Sequence, residues 1–317
     1  MILLSPFVDR NTQRRQFARN IMKRSTWLHL RAPFSFFLLP VFLFALAVDP
    51  QIDGVAAWSM FIILHFLLYP ASNGFNSYFD RDEQSIGGLE KPPPVTRELY
   101  VVSLTLDGLA IIWGALIRWE IAAMLFIYGL VSKAYSHPTI RLKKYPVIGW
   151  LAAGLFQGAF TFLTVYLAIH QITVGQLLRM SILVPAGLCT ILLWGSYPMT
   201  QVYQHEEDAH RGDLTLSRWL GIRGTFIFTA AVFLIANAGY LYYFMTFKGI
   251  DWAIGFQLCL LPVLAYFMAW MVKVWKDAGQ ANFKHTMRLN FLSGLCLNIF
   301  FLILWLSSEE SIYAITY

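Results

Sequence analysis

Charge is scarce in this sequence: Asp, Glu, Lys and Arg make up 13% of its 317 residues, whereas 57% are hydrophobic. Together with a mean hydropathy of +0.55, this excludes a soluble globular domain. Cysteine is rare too: Cys189, Cys259 and Cys296 lack metal-ligand spacing and are interpreted as packing residues. No small-residue cleavage site follows the basic amino-terminal segment, so we predict no signal peptide. The composition indicates an integral membrane protein.

Apolar runs of the length that crosses a bilayer, about 20 residues, recur along the whole chain. Nine candidates cover residues 32–48, 55–75, 99–117, 119–131, 147–169, 177–203, 224–245, 252–272 and 289–306. The fourth is short. We therefore predict an all-α, polytopic membrane protein with nine transmembrane helices.

The basic residues give an independent test of that count, because positively charged loops stay in the cytoplasm. With the amino end inside, 21 of the 24 Lys and Arg residues fall on the cytoplasmic side. We predict a multi-pass protein of the inner (plasma) membrane with a cytoplasmic amino terminus and an outside carboxyl terminus. The net charge of +6 is a topology signal, so no nucleic acid partner is expected. Residues 1–30 are interpreted as a basic amphipathic segment on membrane lipid, and residues 31–317 as one domain.

Acidic residues concentrate in two of the predicted cytoplasmic loops. At the end of the second span, Asn73, Asn76 and Asp80 follow one another at spacings of three and four. This spacing places them on one helical face, which Glu83 and Gln84 are predicted to continue. Carboxylates with few bases nearby indicate that a cation is being bound.

The end of the sixth span repeats the pattern with Gln201, Gln204 and Asp208. Both helices are thus predicted to present two amides and a carboxylate at their cytoplasmic ends. Such oxygen ligands suit Mg²⁺, which substrate phosphates usually complete. Either motif alone could be ordinary solvated loop charge, whereas the matched pair is what an internal repeat would leave.

Three segments carry a resemblance to a known family: NSYFDRDEQ at 76–84, YSHPTIRLKKYPVIG at 135–149 and QHEEDAHRGDLTLSRWLG at 204–221. They resemble the two aspartate-rich motifs and the basic loop of the UbiA superfamily of intramembrane prenyltransferases. The resemblance implies helices around a central cavity that opens to the cytoplasm. It also implies Mg²⁺-dependent transfer from an allylic polyprenyl diphosphate to a lipophilic acceptor.

The resemblance also implies roles for individual side chains. Asp80 and Asp208 are the expected catalytic residues, and the expected Mg²⁺ ligands are Asn76, Asp80, Glu83, Glu207 and Asp208. The expected diphosphate contacts are Lys91, Arg141 and Lys143. Gln84 and Gln204 stand where the family motifs have Asp, which leaves the number of metal ions open.

Tyr69 stands where members that prenylate 4-hydroxybenzoate are expected to have an arginine, so that acceptor is not expected. Asn73 instead resembles the naphthoate-prenylating branch. We expect both residues to line the acceptor half of the cavity, for an aromatic, quinone-precursor-like molecule. Asp107, within the third span, is interpreted as a buried structural partner rather than a base.

Other functions remain open at this stage. A terpene cyclase or a carotenoid-elongating prenyltransferase of the same superfamily would tolerate the altered carboxylates. A cation-coupled transporter is a more remote alternative, because the spans lack midplane charges apart from Asp107.

Overall fold

The computed structural model describes residues 22–308, and almost all of its regular structure is helical. The α-helices are α1 Arg24–Leu30, α2 Leu39–Val48, α3 Gly54–Asp80, α4 Arg97–Ile117, α5 Trp119–Ser136, α6 Pro146–Ile169, α7 Met180–Ser196, α8 His205–His210, α9 Leu216–Phe247, α10 Ile250–Lys276 and α11 Phe283–Leu306. Helices α3 and α6 each contain a π-helical turn, at Ile63–Leu68 and Phe156–Phe160. The only strand-like pairing among the described residues is a bridge between Ile86 and Leu89.

Eight segments within residues 22–308 are long and apolar enough to cross a membrane. They correspond to every predicted span except the fourth. Helix α5 lies at that fourth position, but its 18 residues include Glu120 and Lys133. The polytopic helical architecture is confirmed, and the count of nine stays a prediction.

The first span is interrupted rather than continuous. Helix α1 ends at Leu30, Arg31 adopts a left-handed conformation (φ 47°), and a 3₁₀ helix at Ala32–Phe37 precedes α2. Prolines lie in the first turn of both following helices, where a missing N–H costs no hydrogen bond. The predicted span over 32–48 is confirmed as part of the candidate membrane span Arg24–Val48, but it is not one continuous helix. The break directs the Arg31 side chain into the molecule.

The helices pack largely in chain order, and α11 closes the arrangement by packing against α2. Residues 40–47 of α2 are all buried. Phe44 has no exposed surface, and its ring centre lies 4.6 Å from that of Phe301 and 5.5 Å from that of Tyr240. This core fills the end of the bundle opposite the acidic loops, so the space inside the bundle lies toward those loops.

Two of the basic residues on the predicted outer side cap helix ends. Arg118 Nη1 donates to Leu167 O in the last turn of α6 at 3.4 Å and to Ile172 O in the following loop at 2.7 Å. Lys248 Nζ donates to Ala47 O at 2.9 Å and to Val48 O at 3.1 Å, at the end of α2. Carbonyls at the end of a helix lack intrahelical donors and favour positive charge. A local structural reason thus accounts for these exceptions to the charge pattern.

Asp107 is buried on α4 and forms an ion pair with Lys133 of α5. The Lys133 ammonium also lies 5.3 Å from the centre of the Phe75 ring on α3. Neither member of the pair lines a cavity described below, which accords with a structural role for Asp107.

Candidate active site

The first acidic motif lies on one helix, as its spacing predicts. Asn73, Asn76 and Asp80 all line a polar chamber of about 210 Å³ among the loops. Helix α3 ends at Asp80, because Arg81 turns into the left-handed region (φ 50°). The prediction that Glu83 and Gln84 continue the same helical face was therefore wrong.

The second acidic motif is not on one helix. Helix α7 gives way to a 3₁₀ turn at Tyr197–Thr200 that contains Pro198, whose missing N–H interrupts the α-helical hydrogen bonds. Gln204 then precedes the short helix α8. The predicted span over 177–203 is confirmed as Met180–Thr200, but the prediction that its helix carries the whole second motif was wrong. Gln201, Gln204 and Asp208 nevertheless all line the same polar chamber as the first motif.

The basic loop between α5 and α6 connects the two motifs. Lys143 Nζ lies 2.5 Å from Asp80 Oδ2 and 3.5 Å from Asp213 Oδ2. Arg141 binds Asp213 through two parallel hydrogen bonds, Nε to Oδ1 at 2.6 Å and Nη2 to Oδ2 at 2.7 Å. Its Nη2 also lies 3.4 Å from Asp80 Oδ1. The basic side chains thus hold both acidic segments together.

A second cation, Arg211, joins the loops that follow the motifs. Its Nη1 lies 2.5 Å from Asp82 Oδ1, and its Nη2 lies 2.8 Å from Glu207 Oε1. Glu207 is thereby engaged in an ion pair and does not line the chamber.

Burial raises the pKa of Asp208 to about 7, and the nearby charge of Lys143 opposes that rise. Thr215 Oγ1 donates a hydrogen bond to Asp208 Oδ2 at 3.1 Å. Burial, and next the charge of Asp80, raise the pKa of Asp82 as well. A bound cation stabilises the charged form of a carboxyl group and lowers its pKa. Carboxyl groups whose pKa is raised by burial are therefore stabilised most by an added cation.

The oxygens in the chamber fit a magnesium ion. Among the described residues, Asn76 Oδ1, Asp80 Oδ1 and Gln201 Oε1 are buried and accept no hydrogen bond. No group of three or more His, Cys, Asp and Glu side chains in residues 22–308 forms a metal cluster by itself. An ion there would be completed by substrate oxygens, which is the usual arrangement for Mg²⁺.

An apolar tunnel of about 420 Å³ continues from the polar chamber, and the two share lining residues that include Asn73 and Tyr197. Leu234 of α9 and Leu264 and Met268 of α10 line the tunnel and are largely exposed on the protein surface. The tunnel therefore reaches the surface that faces lipid.

The other expected site residues separate into two groups. Tyr69 is buried in the tunnel wall, with its ring centre 6.3 Å from that of Tyr128. Glu83 and Lys91 are exposed and line neither the chamber nor the tunnel. The structure therefore does not bring these two residues to the other expected ligands.

Sequence reasoning assigned no role to Arg31 or Asp213. Arg31 lines the polar chamber, and its guanidinium donates to Gly87 O at 3.1 Å and Asn73 O at 3.3 Å. Asp213 is buried and receives both Arg141 and Lys143. The available signals were the position of Arg31 directly before the first span and the presence of Asp213 in the second acidic loop.

The sequence matches a known family profile, and the fold is similar to solved structures. The profile of the UbiA prenyltransferase family matches residues 35–295. A UbiA homologue from Archaeoglobus fulgidus, solved with GPP and Mg²⁺, is 16% identical to this chain and superimposes with a TM-score of 0.61. The match covers 89% of this chain and 99% of the homologue. The apo UbiA homologue from Aeropyrum pernix K1 is 15% identical to this chain, with a TM-score of 0.67. The match covers 86% of this chain and 98% of the homologue.

A structure of digeranylgeranylglyceryl phosphate synthase is also similar, at 18% identity and a TM-score of 0.57, covering 91% of this chain and 98% of its own. No curated protein sequence matches. The structural likenesses show a shared fold, and the profile match spans most of the sequence. The chain belongs to the UbiA prenyltransferase family.

Proposed function

We propose that this protein transfers a polyprenyl group from an allylic prenyl diphosphate to a lipophilic aromatic acceptor of the quinone-precursor kind. The observation that carries the proposal is the continuous cavity, with a charged chamber at one end and an apolar tunnel at the other. A prenyl diphosphate has the same two-part character. The related A. fulgidus structures, solved with GPP or DMAPP and Mg²⁺, support the assignment.

In the proposed reaction, Asn76, Asp80 and Asp208 would hold Mg²⁺, which supplies positive charge that stabilises the leaving diphosphate. Lys143, which lines the chamber, would bind diphosphate oxygens and absorb the charge that develops on them. Arg141 does not line the chamber and holds Asp213 beside Lys143, so its predicted contact with the diphosphate stays a prediction. The bond between C1 and the diphosphate oxygen breaks, and its electron pair leaves with the diphosphate. An electron-rich carbon of the acceptor then bonds to C1, and the displaced proton goes to the released diphosphate.

The residues of the tunnel wall limit which acceptor can bind. Tyr69 offers a phenol and a ring face but cannot bind a carboxylate bidentately as an arginine does. Tyr69 and Asn73 both contribute to the tunnel. We therefore propose that 4-hydroxybenzoate is not the acceptor.

We also propose that the polar chamber faces the cytoplasm, with nine spans, the amino terminus inside and the carboxyl terminus outside. The charge pattern of the loops and the presence of α5 at the fourth position support this arrangement. Labelling of single cysteines from each side of inverted inner-membrane vesicles tests it. Labelling of Lys91→Cys and Lys248→Cys from the same side would contradict it.

Incubation of the purified protein with geranylgeranyl diphosphate and Mg²⁺, with and without a lipid or quinone-precursor extract, tests the function. We expect diphosphate release that requires Mg²⁺ and a product whose mass contains both the prenyl group and the acceptor. Metal-independent release, or none, would refute the proposal. Release without an acceptor, together with a cyclised hydrocarbon, would identify a terpene cyclase instead.

A further inference from the structure

The boundary between the polar chamber and the apolar tunnel has a composition of its own. Seven residues line both cavities: Phe34 and six uncharged polar residues, Ser72, Asn73, Tyr128, Gln157, Tyr197 and Thr200. The charged residues line only the chamber, and no charged side chain of residues 22–308 lines the tunnel. If the diphosphate lies in the chamber and the tail in the tunnel, the bond that breaks lies at this boundary.

Gln157 reaches the boundary through an irregular turn in α6. It belongs to the π-helical turn Phe156–Phe160, which shifts the register of the helix by one residue. Thr190 of α7 supports this turn, because its Oγ1 accepts a hydrogen bond from Ala159 N at 2.8 Å. A β-carbon at Gly158 would lie only 2.6 Å from Thr190 Cα, so α7 packs directly against the turn. Turns of this type are frequent at functional sites.

Ser72 supplies an independent observation on the opposite helix, α3. Its hydroxyl is buried and has no hydrogen-bond partner among the described residues. A serine within a helix often donates back to the carbonyl four residues earlier, as Ser103 does to Leu99 O at 2.8 Å. A buried hydroxyl without a partner is costly, and a ligand at the boundary would remove that cost.

We infer that Gln157 and Ser72 form the acceptor subsite and that they bind the acceptor through an uncharged hydroxyl group. This inference rests on the proposed function, since it places the acceptor next to C1 of the prenyl group. A glutamine amide both donates and accepts hydrogen bonds, as does a serine hydroxyl, so the pair matches a phenol or alcohol. No cationic side chain in the described part of the chain lines the tunnel side of the subsite. On the chamber side, Arg31 donates to Gly87 O and Asn73 O, and Lys143 is paired with Asp80, so both cations already have partners other than an acceptor carboxylate.

Binding measured without turnover tests the inference. The protein, Mg²⁺ and the non-ionising analogue geranylgeranyl thiolodiphosphate are dialysed anaerobically against either 1,4-dihydroxynaphthalene or 1,4-dihydroxy-2-naphthoate. The two probes differ only in the carboxylate. We expect the neutral probe to bind about tenfold more tightly. Equal binding of the two probes, tighter binding of the carboxylate, or binding of neither would overturn the inference.

Variants then assign the effect to the two residues. Gln157→Leu is expected to weaken binding of the neutral probe about tenfold, and Ser72→Ala several-fold, with the affinity for the thiolodiphosphate unchanged. Gln171→Leu, in an exposed loop, is the matched control and should change neither affinity. Gln157→Arg should instead favour the carboxylate probe. If Gln157→Leu behaves like Gln171→Leu, or weakens the thiolodiphosphate equally, Gln157 is not an acceptor ligand.

The inference and the proposed function fail in different assays. Metal-dependent diphosphate release in the presence of a quinone-precursor extract tests the function and uses neither naphthalene probe. Monodisperse elution and thermal unfolding in detergent show which variants are folded. If Gln157→Leu does not fold, Gln157→Asn, which shortens the side chain and keeps the amide, and Ser72→Ala decide the outcome by the same two affinities.

Discussion

Replacement of Lys143 by methionine tests the active-site interpretation most directly. Methionine keeps the length and apolar stem of the side chain and removes its charge. In the native protein Lys143 is buried, with its ammonium 2.5 Å from Asp80 Oδ2 and 3.5 Å from Asp213 Oδ2. The change therefore removes one of the two cations that lie between Asp80 and Asp213, and Arg141 remains.

Two effects are expected, and they are separable. Loss of one donor to a leaving group typically lowers kcat about 10²- to 10³-fold. Loss of a hydrogen bond to a charged group costs about 1.5–3 kcal/mol of stability, and the lower end applies here because Arg141 remains 3.4 Å from Asp80 Oδ1. Such a loss leaves a folded protein whose turnover is nearly gone.

Steady-state diphosphate release gives kcat and KM for geranylgeranyl diphosphate, and thermal unfolding in detergent gives the change in stability. Lys144→Met is the matched control, because the ammonium of Lys144 lies 5.0 Å from the ring centre of Tyr145 and Lys144 is in no ion pair among residues 22–308. The control should retain activity within about twofold, because Lys144 is only partly buried and does not line the chamber. If Lys143→Met loses no more activity than Lys144→Met, then Lys143 does not bind the diphosphate.

Further expectations concern the metal, the pH profile and the acceptor. Asp80→Ala and Asp208→Ala should each abolish turnover in a folded protein, and near-normal activity of either would exclude the two-motif metal site. EDTA should abolish activity and Mg²⁺ or Mn²⁺ should restore it, since oxygen ligands favour these ions; activity that survives EDTA contradicts this expectation. Because the pKa of Asp208 is raised to about 7, its ionised, metal-binding form is lost as the pH falls through 7; the Mg²⁺ concentration for half-maximal activity should rise there, and a pH-independent value would refute the role of Asp208. 4-Hydroxybenzoate should not be prenylated, and efficient transfer to it would show that the interpretation of Tyr69 is wrong.

The parts of the site that follow helical spacing could be predicted from the sequence. Asn73, Asn76 and Asp80 share one face because α3 stays helical to Asp80. Gln201, Gln204 and Asp208 meet at the chamber although their helix breaks at Pro198, so the spacing gave the right residues for the wrong reason. The matched spacing of the two motifs predicted which residues line one cavity. It did not predict the helix break at Pro198 that positions the second motif.

Other features depend on tertiary structure and leave no periodic signal. Glu83 and Lys91 follow a residue with positive φ, Arg81, after which helical spacing no longer determines direction. Gln157 reaches the cavity through a π turn that Thr190 of a different helix supports. Arg31 turns inward only because the first span is interrupted. The position of each of these side chains depends on how separate segments pack together. Hydropathy and residue spacing do not predict that packing.

Charge balance in the chamber explains why the acidic motifs and the basic loop belong to one mechanism. Asp80, Asp82 and Asp208 line it together with Arg31 and Lys143, so the lining carries slightly more negative than positive charge. A diphosphate alone would add negative charge to this partly buried space, where repulsion is weakly screened. In the proposed function, Asp80 and Asp208 would hold a divalent cation that offsets this repulsion, and Lys143 would then be free to bind the leaving group. The ion pairs between Lys143 and the two aspartates thus describe the site before substrate binds, and the proposed exchange of partners couples metal binding to diphosphate binding.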